Sequence, residues 1–142
     1  AVKKATKKIK KDFFLMYGDT FLPIDFKKVE NTYFKQKRPA LMTIYKNNNK
    51  YDKSNIIIKN KKISKYSKSL TNAKYIDYGV SMLNKSIILS SKKSSFDLKN
   101  IINQLLTKNL LNYFIVKKRF YEIGSFEGIK QFKSFININE KY

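Results

Sequence analysis

The chain has 142 residues, 42% of them hydrophobic and 15% aromatic, which suits one globular domain with its own core and excludes a disordered basic tail. It contains no cysteine and no histidine, so disulfides, thiolate or imidazole metal sites and the commonest general base are all excluded. The net charge of +21 invites a nucleic-acid reading, yet 29 of the 31 basic residues are lysines scattered along the whole chain.

Only Arg38 and Arg119 offer the planar fork on which phosphate and base readers depend. The expectation is a solvated lysine surface with no specific nucleic-acid partner, though non-specific attraction to polyanions follows from the charge. The longest apolar run, Leu110 to Val116, is broken by Asn112, so no membrane span is expected. The opening AVKKATKKIKK lacks the arginine and serine richness of a transit peptide, and a cytoplasmic location is the default.

In chain order, Val2 to Lys11 reads as a helix with Val2, Ala5 and Ile9 on one face. Phe13 to Tyr17 is a short continuous apolar run that fits a fully buried strand, stopped by Gly18. Asp25 to Lys37 reads as a second helix, with Asp25 as N-cap and Phe26, Val29, Tyr33 and Phe34 as its stripe. Pro39 ends it, and Ala40 to Tyr45 is another strand. Asn55 to Lys59 and Ile63 to Tyr66 flank NKK as a hairpin. Lys74 to Leu83 is a strand with a central Gly79. Ser95-Phe96-Asp97 opens a helix through Thr107 whose inner face is Leu98, Ile101, Ile102, Leu105 and Leu106. Tyr113 to Lys117 is a strand, and Phe126 to Phe135 is a last helix with Ile129, Phe132 and Phe135 inward. Strands alternating with helices, interrupted by one hairpin, imply an α/β layered domain with a mixed, mostly parallel sheet.

Ligands of open α/β sheets bind beyond the carboxyl ends of the strands. Asp19 stands at such an end, after a glycine expected to let the backbone turn sharply. Glu122, in RFYEIGSFEG, stands two residues before Gly124 near a second strand end. From the residues alone Asp19 is a metal ligand or a turn aspartate, and Glu122 a metal ligand or the ion-pair partner of Arg119 or a lysine. Two carboxylates at the ends of separate strands suit Mg²⁺, which takes one or two carboxylates plus phosphates and water. Gly79, beside Asp77 and Tyr78, implies either a close approach by a ligand or another backbone, or a polar outward position at Asp77 beside a bulge. Lys68 follows the hairpin and by itself says little.

Taken together and in this order, FFLMYGDTFLPIDF, ALMTIYKN, YDKSNI, YIDYGVSML and RFYEIGSFEGI resemble the nucleotidyltransferases that activate sugar 1-phosphates. The nearest branch is the one containing D-glycero-D-manno-heptose 1-phosphate guanylyltransferase and similar surface-polysaccharide enzymes. The resemblance implies a Rossmann-like, glycosyltransferase-A-like fold and a reaction between a nucleoside triphosphate and a sugar 1-phosphate. It also implies that Asp19 and Glu122 hold Mg²⁺, that Lys68 faces the sugar phosphate, and that Asp77, Tyr78 and Gly79 lie near the sugar.

Ser67 departs from the family's usual acid, and Phe126 from its proline. The family's glycine-rich signature, G-x-G-(T/S)-R with its later K-P pair, is not in this chain. The expectation is therefore the carboxyl-terminal portion of such an enzyme, residues 1–142 forming one partial domain without the amino-terminal strands and inactive alone. The competing expectation is a non-catalytic basic α/β module or remnant that binds polyanions through its lysines.

Overall fold

The computed structural model describes residues 2–90 and 97–139. In chain order they form α1 (Val2–Thr6), β1 (Asp12–Met16), β2 (Thr20–Phe21), α2 (Phe26–Gln36), β3 (Ala40–Lys46), β4 (Ile56–Lys59) and β5 (Lys62–Tyr66). There follow β6 (Tyr75–Asn84), α3 (Lys85–Leu89), α4 (Leu98–Thr107), β7 (Leu111–Val116), β8 (Tyr121–Glu122) and α5 (Phe126–Asn139). Ser95 and Phe96, expected to open the fourth helix, lie outside the described residues; Asp97 caps it by accepting from the Lys99 amide at 2.9 Å.

The sheet is organised around β6. Along one edge β6 pairs antiparallel with β3, which pairs parallel with β7 on its far side. Along the other edge β6 carries two strands, β1 from Val80 to Asn84 and β4 at Tyr75, both antiparallel. β4 turns into β5 through Asn60 and Lys61, both at positive φ. The α/β class and the mixed sheet are as expected, but the weight of parallel pairing is not: among the described residues only β3 and β7 pair in parallel. The reason is topological. β1, β3 and β7 do run the same way, as strand–helix–strand alternation implies, but β6 inserts between β1 and β3 in the opposite sense.

Alternation along β6 divides the core. Leu83, with Ala40, Met42 and Ile44 of β3, packs under α1, α3 and α4 through Ile88, Ile101, Ile102 and Leu105. Met82 and Leu41 pack on the other face beneath Val29 and Tyr33 of α2, and Ile76, Tyr78 and Val80 continue that face towards Leu22, Val116 and Phe120. α4 buries its inner face as the periodicity predicts. α2 does so in part: Val29 and Tyr33 are buried, whereas Phe26 and Phe34 are exposed. Phe26 instead meets Phe14 edge-on at 5.3 Å.

β1 is not the fully buried strand that its composition suggests. Phe13 and Leu15 pack into the core, but Phe14 and Met16 point outward, because β1 lies at the sheet edge and pairs only with β6 among the described residues. α1 stops at Thr6 instead of Lys11, its chain continuing in tighter turns through Lys8 and Ile9. The short helix α3, capped by Asn84, was not expected from the periodicity. No helix among the described residues is long and apolar enough to cross a membrane.

Gly79 sits at φ +95°, a region that costs a residue bearing Cβ about 1–3 kcal/mol. A Cβ there would also come within 3.2 Å of the Tyr17 ring. Gly79→Ala is therefore expected to lower Tm by several degrees in a thermal melt followed by circular dichroism; an unchanged Tm would show that the strand relaxes at no cost.

Candidate active site

The strands β1, β3 and β7 end at the same side of the sheet, and the segments that follow them enclose a crevice of about 850 Å³. Tyr17 to Thr20 follow β1; Tyr51, Asp52 and Asn55 follow β3; Phe120 and Glu122 follow β7. Residues 76–79 of β6, with Tyr66 and Lys68, complete the wall. The crevice exists because β1 and β4 share one edge of β6 without meeting. Tyr17 makes the last β1-side contact, its amide donating to the Gly79 carbonyl at 3.0 Å. Asn55 makes the first on the β4 side, its amide donating to the Tyr75 carbonyl at 2.9 Å.

Side chains satisfy the backbone in the gap. The Asp77 amide donates to Asn55 Oδ1 at 3.0 Å, and the Gly79 amide donates to Asp77 Oδ1 at 3.0 Å. Asp77 Oδ2 accepts from Tyr66 at 3.2 Å and from Tyr17 at 3.4 Å. Burial pushes the Asp77 carboxyl above the usual carboxylate range, against the pull of these three hydrogen bonds. Burial first, and then the Asp77 charge, pushes the Tyr17 phenol up to about 12, and raises the Tyr66 phenol as well. Both phenols thus remain donors at neutral pH. Asp77, with three hydrogen bonds already accepted, orients the two tyrosines on the crevice wall.

Asp19 and Glu122 are brought together by the small ribbon of β2 and β8, in which Thr20 faces Glu122 and the Ile123 amide donates to the Asp19 carbonyl at 2.8 Å. They flank Gly124: a Cβ built there would lie 3.7 Å from Asp19 Cβ and 2.5 Å from Glu122 Oε1. Gly18 does not make this turn by special backbone geometry. Gly79 is the glycine at positive φ, and a Cβ on Gly18 would meet nothing within 4 Å.

Glu122 is held by the start of α5. Its Oε1 accepts from the Gly124 amide and its Oε2 from the Ser125 hydroxyl at 2.6 Å, while Ser125 Oγ accepts from the Gly128 amide at 3.1 Å as the helix cap. An ion pair with Arg119 is not formed; that guanidinium lies over the rings of Tyr51 and Tyr121.

Among the described residues, four acidic side chains, Asp19, Asp52, Asp77 and Glu122, line this one crevice, against a single basic one, Lys68. Each carboxylate oxygen of Glu122 keeps a lone pair beyond the hydrogen bond it accepts, and the Asp19 side chain is exposed and, among the described residues, accepts from Thr20 Oγ1 alone, at 3.2 Å. Paired hard oxygen donors beside open space fit a magnesium ion that takes its remaining ligands from phosphate and water. Among the described residues no group of three or more such side chains forms a closed metal cage.

Tyr78 lines the crevice as a packed ring, 1% exposed, with its hydroxyl donating to the Arg119 carbonyl at 3.4 Å. Ser67 turns its hydroxyl to Ser69 Oγ at 2.8 Å. Tyr17, Tyr51, Asp52, Asn55 and Tyr66 escaped the sequence reading. The signal for Tyr17 was its place directly before the Gly18-Asp19 pair.

No protein-family model and no curated protein matches the sequence. Solved structures do match. A glucose-1-phosphate thymidylyltransferase from Bacillus anthracis, solved with sucrose, superimposes with a TM-score of 0.81 at 15% identity over 94% of this chain. HddC from Yersinia pseudotuberculosis gives 0.70 at 21% identity over 92%, and the inositol-1-phosphate CTP transferase of T. maritima gives 0.70 at 16% over 89%. The chain has the fold of the sugar-phosphate nucleotidyltransferases. It spans 58% of the length of the first two structures and 55% of the third.

Two outcomes test the site's construction. Gly128→Ala would ordinarily stabilise a helix by about 1 kcal/mol. Here a Cβ would overlap the Glu122 carbonyl and approach its Oε2 to 2.7 Å, so urea unfolding is expected to show a lower midpoint, and a raised one would contradict the packing. The phenols of Tyr17, Tyr33, Tyr45, Tyr66 and Tyr78 are all raised, burial being the largest cause in each. The native state holds these protons more tightly than the unfolded chain. Their stabilisation is therefore complete below pH 10, the ordinary tyrosine value, and is lost as pH rises through the folded values. Tyrosinate absorbance of the native protein should lag behind that of the urea-unfolded chain; superimposable curves would contradict the burial.

Proposed function

We propose that this chain forms the metal and sugar side of an enzyme that transfers a nucleotidyl group from a nucleoside triphosphate to a sugar 1-phosphate. The products are a nucleotide-sugar and pyrophosphate, for surface-polysaccharide, heptose or related nucleotide-sugar biosynthesis. A phosphate oxygen of the sugar 1-phosphate attacks the α-phosphorus, the bond from that phosphorus to the bridging oxygen breaks, and pyrophosphate departs with the electron pair. Such transfers depend on positioning and charge neutralisation more than on covalent help from the protein.

The observation that carries the reading is the convergence of Asp19 and Glu122 on Gly124, in a crevice that collects acid within a strongly basic chain. Asp19 and Glu122 would hold Mg²⁺, which when bound neutralises charge on the reacting phosphates. Gly124 and Ser125 orient Glu122 for that task. Lys68, the one cation in the lining among the described residues, is suited to the phosphate of the sugar. Tyr17, Tyr66, Asp52 and Asn55 present hydroxyl, carboxylate and amide groups suited to a polyhydroxylated ring. The triphosphate-cradling loop belongs to the part of the fold outside this chain, so the chain alone is expected to be inactive.

The test is pyrophosphate release by the complete gene product, against a panel of triphosphates and sugar phosphates. Asp19→Asn and Glu122→Gln should each lower kcat by on the order of 100-fold or more, with the circular dichroism spectrum unchanged. Wild-type turnover in both variants would remove the metal assignment. No turnover by any pairing, together with salt-sensitive binding of RNA or DNA, would favour a polyanion-binding module.

A further inference from the structure

Arginine is rare in this chain, and Arg119 uses the planar fork that lysine lacks, donating from two of its nitrogens. Arg38 Nη1 donates to the Leu111 carbonyl at 3.3 Å and to Asn112 Oδ1 at 2.7 Å, which is structural. Arg119 lies between β7 and β8, at the edge of the crevice. Its Cζ is 3.8 Å from the centre of the Tyr51 ring and 4.3 Å from that of Tyr121. Nη2 donates to Gln131 Oε1 at 2.8 Å, and Gln131 is itself held by donating to Glu127 Oε1 at 2.9 Å. Nε donates to the Phe120 carbonyl at 3.2 Å.

These contacts reach two separate walls. Tyr51 and Asp52 belong to the loop after β3, which is locked from within. Asn47 and Ser54, both buried, close it: Asn47 Nδ2 donates to the Asp52 carbonyl at 2.6 Å, and the Tyr51 amide donates to Asn47 Oδ1 at 3.1 Å. Tyr121 and Gln131 belong to the unit of β8 and α5 that carries Glu122. That unit joins the rest of the fold through a ribbon of two residues per strand, through Phe21 against Phe132 and Phe135, and through buried Phe120, whose ring meets Tyr51 edge-on at 6.3 Å. These contacts are apolar and non-directional; the guanidinium, packed against both rings and hydrogen-bonded to Gln131, adds the directional link between loop and unit. A lysine ammonium is a compact, strongly hydrated charge on a flexible stem, without the flat faces and in-plane donors that let this guanidinium lie on two rings while donating to Gln131 and to the Phe120 carbonyl.

We propose that Arg119 is a positioning residue: it clasps the Tyr51–Asp52 loop to the β8–α5 unit and so sets where Glu122 stands relative to the opposite wall of the crevice. The consequence for ion binding rests on the function proposed above; the clasp itself does not.

The test uses the complete gene product and three variants: Arg119→Lys, Tyr51→Leu and Tyr51→Phe. Hydrogen–deuterium exchange reads the clasp, and titration with Tb³⁺, a hard oxygen-seeking cation whose luminescence is sensitised by nearby tyrosine, reads the carboxylates. Arg119→Lys keeps the charge, yet should raise exchange of the Tyr51–Ser54 and Glu122–Gly124 amides together by about tenfold. It should also weaken Tb³⁺ binding by about tenfold. Tyr51→Leu should reproduce both effects, and Tyr51→Phe, which keeps the ring, neither. Wild-type exchange in Arg119→Lys and in Tyr51→Leu would overturn the clasp. If the wild-type protein binds no Tb³⁺, the two-carboxylate metal assignment fails, while the exchange data still decide the role of Arg119.

Discussion

One strand running against its neighbours makes the crevice possible. β6 pairs with β3 on one edge, with a register shift between Met42 and Ile44, and on the other it is shared by β1 and β4, which lie along opposite halves of it. Between them Asp77, Tyr78 and Gly79 have no strand partner on that side, and the backbone groups there turn to Asn55, Tyr17 and the Asp77 carboxylate. A continuous strand would have satisfied the same groups and left no cavity. The opening at the heart of the site is thus a gap in the hydrogen-bond ladder, kept wet and polar by side chains that complete it.

Charge is arranged against the same opening. A chain of +21 attracts anions over most of its surface, and an anionic substrate needs no help to approach it. What such a chain lacks is a place where a cation is welcome. Collecting four carboxylates in one crevice, with Lys68 as the one basic side chain that lines it among the described residues, creates that place. The acidic floor and the basic exterior are complementary halves of one electrostatic pattern, and that pattern suits the proposed phosphate ester with its metal ion.

The sequence disclosed the parts more readily than their assembly. Asp25 and Asp97 announced helix starts, and Ile101, Ile102 and Leu105 announced a buried face, because capping and periodicity are local properties. Asp19 and Glu122 were legible as a pair because each stands beside a glycine at a strand end. The sense of the sheet was not legible. Strand alternation correctly implies that β1, β3 and β7 are co-directional, but nothing local says that β6 will separate two of them. For the same reason Phe13 to Tyr17 looked buried: composition reports how apolar a strand is, not whether a neighbour covers it. Asn55 and Tyr66 were missed because their roles exist only across the gap, 22 and 11 residues from Asp77.

Taken by themselves, with no further strand added along β1, these 142 residues would behave in solution as the outward side of that strand dictates. No lysine occurs between Lys11 and Lys27, the longest such interval in the chain, and this interval contains the edge strand with Phe14 and Met16 facing out. Edge strands are normally guarded by lysine, proline or a bulge. β1 has none of these within Asp12–Met16, so copies of the chain are kept apart mainly by the charge on the rest of the surface. In concentrated salt, where repulsion reaches only about 3 Å, that long-range protection disappears while the adhesive edge remains. High ionic strength, the usual remedy for a sticky basic protein, would here bring one molecule's edge against another's.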